Sequence, residues 1–559
     1  MRALIQKVAA SYKGLRVCRE ALTERSLGFG TPLLRRGAER RIPEMRMNTT
    51  KRRFAGLLMI GTALAAPATG SADKGVLNDS EWTQQGLRAI AAAQRLPESR
   101  RERARNVILF VGDGMGISTI TAARILDGQN KGRPGEENRL AFETFPNLAL
   151  VKTYSVNQQT PDSAPTMTAM VTGVKTKDGI LSINENVVRG EQASVAGNTL
   201  KTILELAEEN GLSTGVVSTA RVTHATPAAC YAHSADRDWE SDADTPAAQL
   251  SAGAKDIARQ LLESPYGDGL EVALGGGRSY FLPATASDPE DAGTKGRRKD
   301  GRDLTAEWAA RPKSAYVWNK AAFDAIDPKK TDHLLGLFER SHMEYEADRS
   351  KDTGGEPSLS DMTAKAIDVL ARNKKGYFLM VEGGRIDHAH HAGNASRALQ
   401  DTIAMAEAVQ TALKKSGDSD TLVLVTADHS HTFTIAGYPA RGNDILGKVV
   451  TLDAKGEPEV GFAKDANGLP YTTLSYANGP GYRVGGRPDL SAVDTTHVDF
   501  LQEATVPMAA ETHAAEDVAL YARGPSAHLV HGNQEQTISF YVMAHALGLD
   551  GNRAQSYSH

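Results

Sequence analysis

Six short apolar runs rich in β-branched residues punctuate the chain, at residues 106–111, 148–153, 214–218, 377–381, 422–426 and 518–521. Runs this continuous, without polar alternation, predict strands buried on both faces of a parallel sheet. Between them apolar positions recur at helical spacing. One such stretch covers 199–210 and stops at Gly211. Another opens near Ser358, where Ser358 and Asp361 have the spacing of a capping box, and ends at Gly376; a third covers 396–415. Strands alternating with helices predict an α/β fold, a large and mostly parallel central sheet covered by helices on both faces. From Gly437 to Glu511 the pattern gives way to glycine, proline and short alternating stretches, so an insertion is expected at about 437–510. Phe462, Tyr471, Tyr482 and Phe500 recur through it and argue against a disordered loop.

The N-terminus reads differently. Lys51, Arg52 and Arg53 precede an apolar run at 54–66, followed by small residues ending in Gly70, Ser71 and Ala72. This is the layout of a signal peptide over 47–72, and the run is too short to span a bilayer. Residues 1–46 are Arg-rich, and Met45 and Met47 stand where a signal peptide should begin. They are either a start codon set too far upstream or a genuine extension or transit peptide. The expectation is an exported chain, periplasmic or extracellular, with a mature part of 73–559 and no membrane span.

Composition narrows the chemistry. Residues 1–72 hold 14 Lys plus Arg against 4 Asp plus Glu, which from the totals of 64 and 68 leaves 50 against 64, or −14, for the remainder. So acidic a chain is not built with nucleic acid as its main partner, and an anionic substrate needs local cations to reverse the field. With only Cys18 and Cys230, no disulfide framework holds the fold.

In an α/β sheet ligands bind beyond the carboxyl ends of the strands. There the chain places Gly112-Asp113-Gly114-Met115-Gly116, then Glu382-Gly383-Gly384-Arg385-Ile386-Asp387-His388-Ala389-His390-His391, then Ala427-Asp428-His429-Ser430-His431. A Gly-Asp-Gly alone is a turn and a His cluster alone a solvated loop; three such segments at strand ends are a metal-binding rim. Asp387 and His391 share a side if their segment is helical, and His513 is a natural completing ligand. Asp428 and His429 can share a metal where the strand has curled into a loop, with Asp113 as third arm. In Pro161-Asp162-Ser163-Ala164-Pro165, proline in a first helical turn puts Ser163 at a helix N-terminus, where an alkoxide and a phosphate are both favoured. A directly bound zinc would activate that hydroxyl without a histidine base.

In this order, these segments together with Glu511-Thr512-His513 and the Glu516-Asp517 that follows resemble the alkaline phosphatase family over about 106–549, in the histidine-type branch found in animal and some bacterial members. The resemblance implies hydrolysis of phosphate monoesters by phosphoryl transfer to Ser163 and hydrolysis of the phosphoserine. It implies two Zn2+, one on Asp387, His391 and His513 and the other on Asp113, Asp428 and His429, and one Mg2+ on Asp113, Thr226 and Glu382. Arg237 would clamp the phosphate through its planar fork, and His224, His388 and His431 would stand just outside the ions. His224 marks the branch, since other members carry a carboxylate there. The insertion resembles the family's crown-like region near a homodimer interface. A Ca2+ site on Glu290, the Phe338 carbonyl, Glu339 and Glu356 is also implied, although Glu356 stands where aspartate is usual.

Three other readings compete. A sulfatase needs a Cys-x-Pro-x-Arg setting that Cys230 lacks, being followed by Tyr231, Ala232 and His233. A phosphodiesterase of the same superfamily commonly has threonine in place of Ser163 and no Arg237 clamp. A non-catalytic phosphate-binding protein would have no need of a serine between the metals.

Overall fold

The structure, a computed structural model, describes residues 103–549. The signal peptide and the Arg-rich segment expected from the sequence lie outside the described residues.

Ten strands form the main sheet: β1 (Asn106–Gly112), β2 (Asn147–Lys152), β3 (Ser213–Arg221), β4 (Val272–Gly276), β5 (Ser314–Val317), β6 (His333–Leu337), β7 (Tyr377–Gly383), β8 (Thr421–Ala427), β14 (Val518–Arg523) and β15 (Gly532–Glu535). Their order is β15-β2-β14-β8-β1-β7-β3-β4-β6-β5, and every neighbouring pair is parallel except the two made by β14. Every residue of β1, β7 and β8 is buried, which is why their sequences are unbroken apolar runs. Helices α1 (Ile117–Asn130), α5 (Leu359–Leu370) and α7 (Ala395–Lys415) pack together over one face. Helices α2 (Ser163–Thr172), α3 (Ile203–Glu209) and α8 (Ile538–Leu547) cover the other. The mostly parallel α/β architecture is therefore as the sequence predicts.

Two strand expectations need correction. The run at 518–521 was expected to be parallel, yet β14 is antiparallel to both β8 and β2. The chain reaches it from the carboxyl rim, through a ribbon of β9 (Ser430–His431) and β13 (His513–Ala514), and so must run down the sheet. An apolar run carries no sign of direction. The run at 148–153 was expected to be buried on both faces, but Leu148 and Leu150 of β2 are 50% and 41% exposed, because the sheet is open on one side there. Strands β4 and β6 escaped the pattern because glycine interrupts their short runs, and β15 because its sequence, Gly-Asn-Gln-Glu, is polar.

The three expected helices form, each shorter than or shifted from its pattern by its caps. Thr202 accepts from the Glu205 amide to open α3, and Asn394 caps α7. Within 437–510 the chain builds, with β10 (Phe433–Ile435) just before it, a three-stranded sheet in the order β10-β11-β12, where β11 is Leu474–Gly479 and β12 is Ala504–Pro507. Among the described residues no helix is long and apolar enough to cross a membrane.

The capping box read at Ser358 is present: its hydroxyl accepts from the Asp361 amide at 3.1 Å and the Asp361 carboxylate accepts from the Ser358 amide at 3.2 Å. Ser358→Ala should therefore lower unfolding stability by about 1 kcal/mol, the usual worth of an N-cap, without altering the site. Denaturant unfolding checks this, and an unchanged midpoint would show the cap to be idle.

Candidate metal centre and nucleophile

Register sets the level of the site. In the parallel trio β8-β1-β7, Gly112 pairs with both Ala427 and Gly383, while Glu382 lies opposite Val111 and Ser218. Asp113, Asp428 and Glu382 are thus delivered to one rim at one height. At Gly114 the backbone turns with φ of +67°, and a Cβ there would lie 2.2 Å from His431 Nε2, so this turn requires glycine. The Gly114 amide donates to Asp428 Oδ1 at 2.9 Å, as does the His429 amide at 3.0 Å.

Asp387 and His391 both lie on α6 (Arg385–His391), one turn apart as expected, with His391 Nε2 3.3 Å from Asp387 Oδ1. His513 reaches the same oxygen at 3.3 Å, and His431, opposite it in the β9–β13 ribbon, at 2.9 Å. Close by, His429 Nε2 is 3.3 Å from Asp113 Oδ1 and 3.3 Å from Asp428 Oδ2. The His429 and His513 rings stack at 3.6 Å, joining the two clusters.

Ser163 begins α2, whose N-cap Asp162 is extended, as the proline reading predicts. Its Oγ lies 3.4 Å from Asp113 Oδ1 and 3.3 Å from His429 Nε2. Arg237 donates to Asp162 Oδ2 at 2.8 Å and to His224 Nε2 at 3.1 Å.

The residues fit cations. Asp113 Oδ2, Asp428 Oδ2, Asp387 Oδ1, Glu382 Oε1 and Thr226 Oγ1 are buried without a hydrogen-bond partner, a costly arrangement for neutral and charged groups alike. Burial, followed by the charges of Asp428, Asp387 and Glu382, holds the Asp113 carboxyl well above its ordinary range. Burial also pushes Glu382 up to about 7. Burial opposes charge on Asp387 too, but His391, His431 and His513 outweigh it and hold this carboxyl well below the usual range. Donor atoms of Asp113, Asp428 and His429 form one group that could hold an ion, and those of Asp113, His224 and Glu382 another. Oxygen and imidazole donors without thiolate suit zinc and magnesium chemistry.

A third group was not foreseen. His342, in the loop after β6, joins His224 and His388, with ring centroids 4.0 to 5.5 Å apart. Three arginines supply them with donors: Arg237 to His224, Arg221 to His342 and Arg385 to His388. Burial and those guanidinium groups depress all three imidazoles. Glu511 belongs to the same motif as His513, and its carboxylate meets His431 at 2.6 Å.

Away from this rim, Glu290 raises the carboxyl of Glu339 and Glu339 that of Glu356, while Asp352, not singled out in the sequence, raises all three. Burial first, then these neighbours, pushes Glu339 up to about 8 and Glu356 up to about 9. The Phe338 carbonyl accepts from Arg278 at 2.9 Å, and Arg278 also donates to Glu290 at 2.7 Å.

The comparisons agree with this geometry. Residues 104–549 match the family model described as alkaline phosphatase. The chain is 45% identical to the alkaline phosphatase of Gadus morhua over 482 residues, 85% of this chain and 97% of that protein. It is 43% identical to the tissue-nonspecific alkaline phosphatase isozyme of Homo sapiens over 505 residues, 89% of this chain and 93% of that one. Its fold is similar to the crystal structure of Thermus thermophilus alkaline phosphatase, with a TM-score of 0.58, 28% identity and coverage of 82% of this chain and 94% of that one. With carboxylates, imidazoles and a serine at a helix start meeting within the matched residues, the chain belongs to the alkaline phosphatase family and is a hydrolase of phosphate monoesters.

Proposed function

We propose that hydrolysis proceeds through a phosphoserine at Ser163, with two zinc ions and one magnesium ion as cofactors. The observation that carries this reading is the position of the Ser163 hydroxyl, at the N-terminus of α2 and within 3.4 Å of both Asp113 and His429. Divalent ions on these residues would lower the pKa of the hydroxyl and of water and neutralise phosphate charge. Asp387, His391 and His513 would hold one zinc, Asp113, Asp428 and His429 the other, and Asp113, Thr226 and Glu382 the magnesium.

The chain's own groups do the rest. Ser163 Oγ gives up its proton and forms the bond to phosphorus as the ester oxygen leaves and takes a proton; water, giving up a proton, then attacks the same phosphorus and Oγ leaves and takes one. Arg237 presents two nitrogens to two phosphate oxygens, and Asp162 holds its fork in place between turnovers. The amides of the first turn of α2 favour the negative charge. His224 and His388, kept neutral by burial and the nearby arginines, can accept or donate one hydrogen bond without adding charge. Because these contacts are all to phosphate, the alcohol half is recognised weakly and many monoesters should serve.

The acidic group at Glu290, Glu339 and Glu356 is read as a calcium site, supported by Glu356, which is 3% exposed with Oε2 unpartnered. Asp352 is a further oxygen donor there, while the Phe338 carbonyl must be shared with Arg278. Export rests on the leader pattern of the sequence, and a homodimer with a crown-like insertion at about 437–510 rests on the family resemblance.

A chromogenic monoester assay before and after chelation, with zinc and magnesium added back, tests the reading. Activity should vanish on chelation and return with both metals, and Ser163→Ala should lower turnover by roughly three powers of ten or more at unchanged zinc content. Full turnover in that variant would remove Ser163 as the nucleophile. Arg237→Ala should weaken inhibition by inorganic phosphate by about 1.5 to 3 kcal/mol, the worth of a charge-assisted contact; equal inhibition of variant and parent contradicts the clamp. Calcium should raise the melting temperature of metal-stripped protein, and Glu339→Gln should abolish that rise. No calcium response in the parent would dismiss the calcium site.

A further inference from the structure

Glu511 is 1% exposed and lies two residues before His513. Its Oε1 accepts from the Thr432 amide at 2.6 Å and from the Thr432 hydroxyl at 2.7 Å. That pair of bonds would suffice to keep one carboxylate oxygen in place. Its other contacts go to two histidines of the metal centre. Oε2 lies 2.6 Å from His431 Nδ1, and the Glu511 carbonyl lies 2.5 Å from His391 Nδ1, while the Glu511 amide donates to the His391 carbonyl at 2.9 Å.

Neutral imidazole carries one proton, and an acceptor beside Nδ1 draws it there, leaving the lone pair on Nε2. Nε2 of both rings faces Asp387 Oδ1, at 2.9 Å for His431 and 3.3 Å for His391. His431 thus stands between two carboxylates, which fix its ring from both sides. His391, with the Glu511 carbonyl behind Nδ1, turns Nε2 to the same side as a ligand of a cation on Asp387 would. His513 repeats the device with the Pro161 carbonyl, 2.8 Å from its Nδ1.

We propose that Glu511 is the positioning residue of the Asp387 metal site: its carbonyl fixes His391 with Nε2 toward the ion, and its carboxylate fixes His431, which stands outside the ion and steadies the Asp387 carboxylate. This deepens the reading of Asp387, His391 and His513 as a zinc site and rests on it. A carboxylate or carbonyl behind a metal-facing imidazole fixes its tautomer and orientation and makes it a better donor, and loss of such a partner typically costs 10- to 100-fold in affinity.

The test uses the whole protein, stripped of metal and titrated with zinc against a chromogenic chelator. The parent should hold two tight zinc ions. In Glu511→Gln, which keeps the carbonyl and the volume, one of the two should weaken by about 10- to 100-fold while the other is unchanged. Thr432→Val, which removes only the hydroxyl that steadies the carboxylate, should weaken the same ion by a smaller factor. Nitrogen NMR of labelled histidine in the stripped protein should show the His431 ring nitrogens shifted in Glu511→Gln relative to the parent. A merely structural role would lower the melting temperature and leave zinc affinity and those shifts as they were. Equal zinc affinity in parent and Glu511→Gln overturns the proposal; if that variant does not fold, equal affinity in Thr432→Val does so. A parent that binds no zinc overturns the metal reading itself, and the proposal with it.

Discussion

Like charge gathered where water cannot screen it governs this molecule. Asp113, Asp387, Asp428 and Glu382 are all buried at one rim of the sheet, and three of them raise the charging cost of the fourth. At an effective dielectric constant of about 20, two such charges 4 Å apart repel by about 4 kcal/mol, a large fraction of a typical domain's net stability. The fold tolerates the arrangement because the sheet that delivers it is unusually committed. Strands β8, β1 and β7 are buried along their whole length, and the register that aligns Gly112 with Ala427 and Gly383 leaves the following loops nowhere else to go.

The opposing charges come from different places. Imidazoles on α6 and on the β9–β13 ribbon surround Asp387 and pull its carboxyl down. Asp113 and Glu382 have no such neighbours in sufficient number and are pushed up by burial. The centre is therefore lopsided as a purely protein structure, and cations would balance it. Arg237 is held by Asp162 and His224, so a phosphate bound at Ser163 would meet a guanidinium already oriented.

Much of this was legible in the sequence because the relevant signals are local. A buried parallel strand is an unbroken apolar run, and a parallel sheet puts the ends of such runs on one rim; Asp113, Glu382 and Asp428 follow from that alone. Asp387 and His391 were legible through helical spacing, and Ser163 through the proline two residues on. What escaped depends on contacts between distant segments. Glu511 meets His431 across 80 residues and His391 across 120. His342 sits in a loop with no pattern of its own, and Asp352 joins the acidic group only because of the way the chain returns after β6. The direction of β14 is set by the ribbon before it, which no hydrophobic pattern reports.

The central claim is that nitrogen and oxygen donors of this one chain, without any thiolate, take up cations that neutralise the rim. X-ray absorption at the zinc edge, on stripped protein reloaded to saturation, addresses it most directly. The account predicts two zinc ions per chain with shells of nitrogen and oxygen at about 2.0 to 2.2 Å. A shell containing sulfur, or failure to retain zinc in stoichiometric amount, would contradict it.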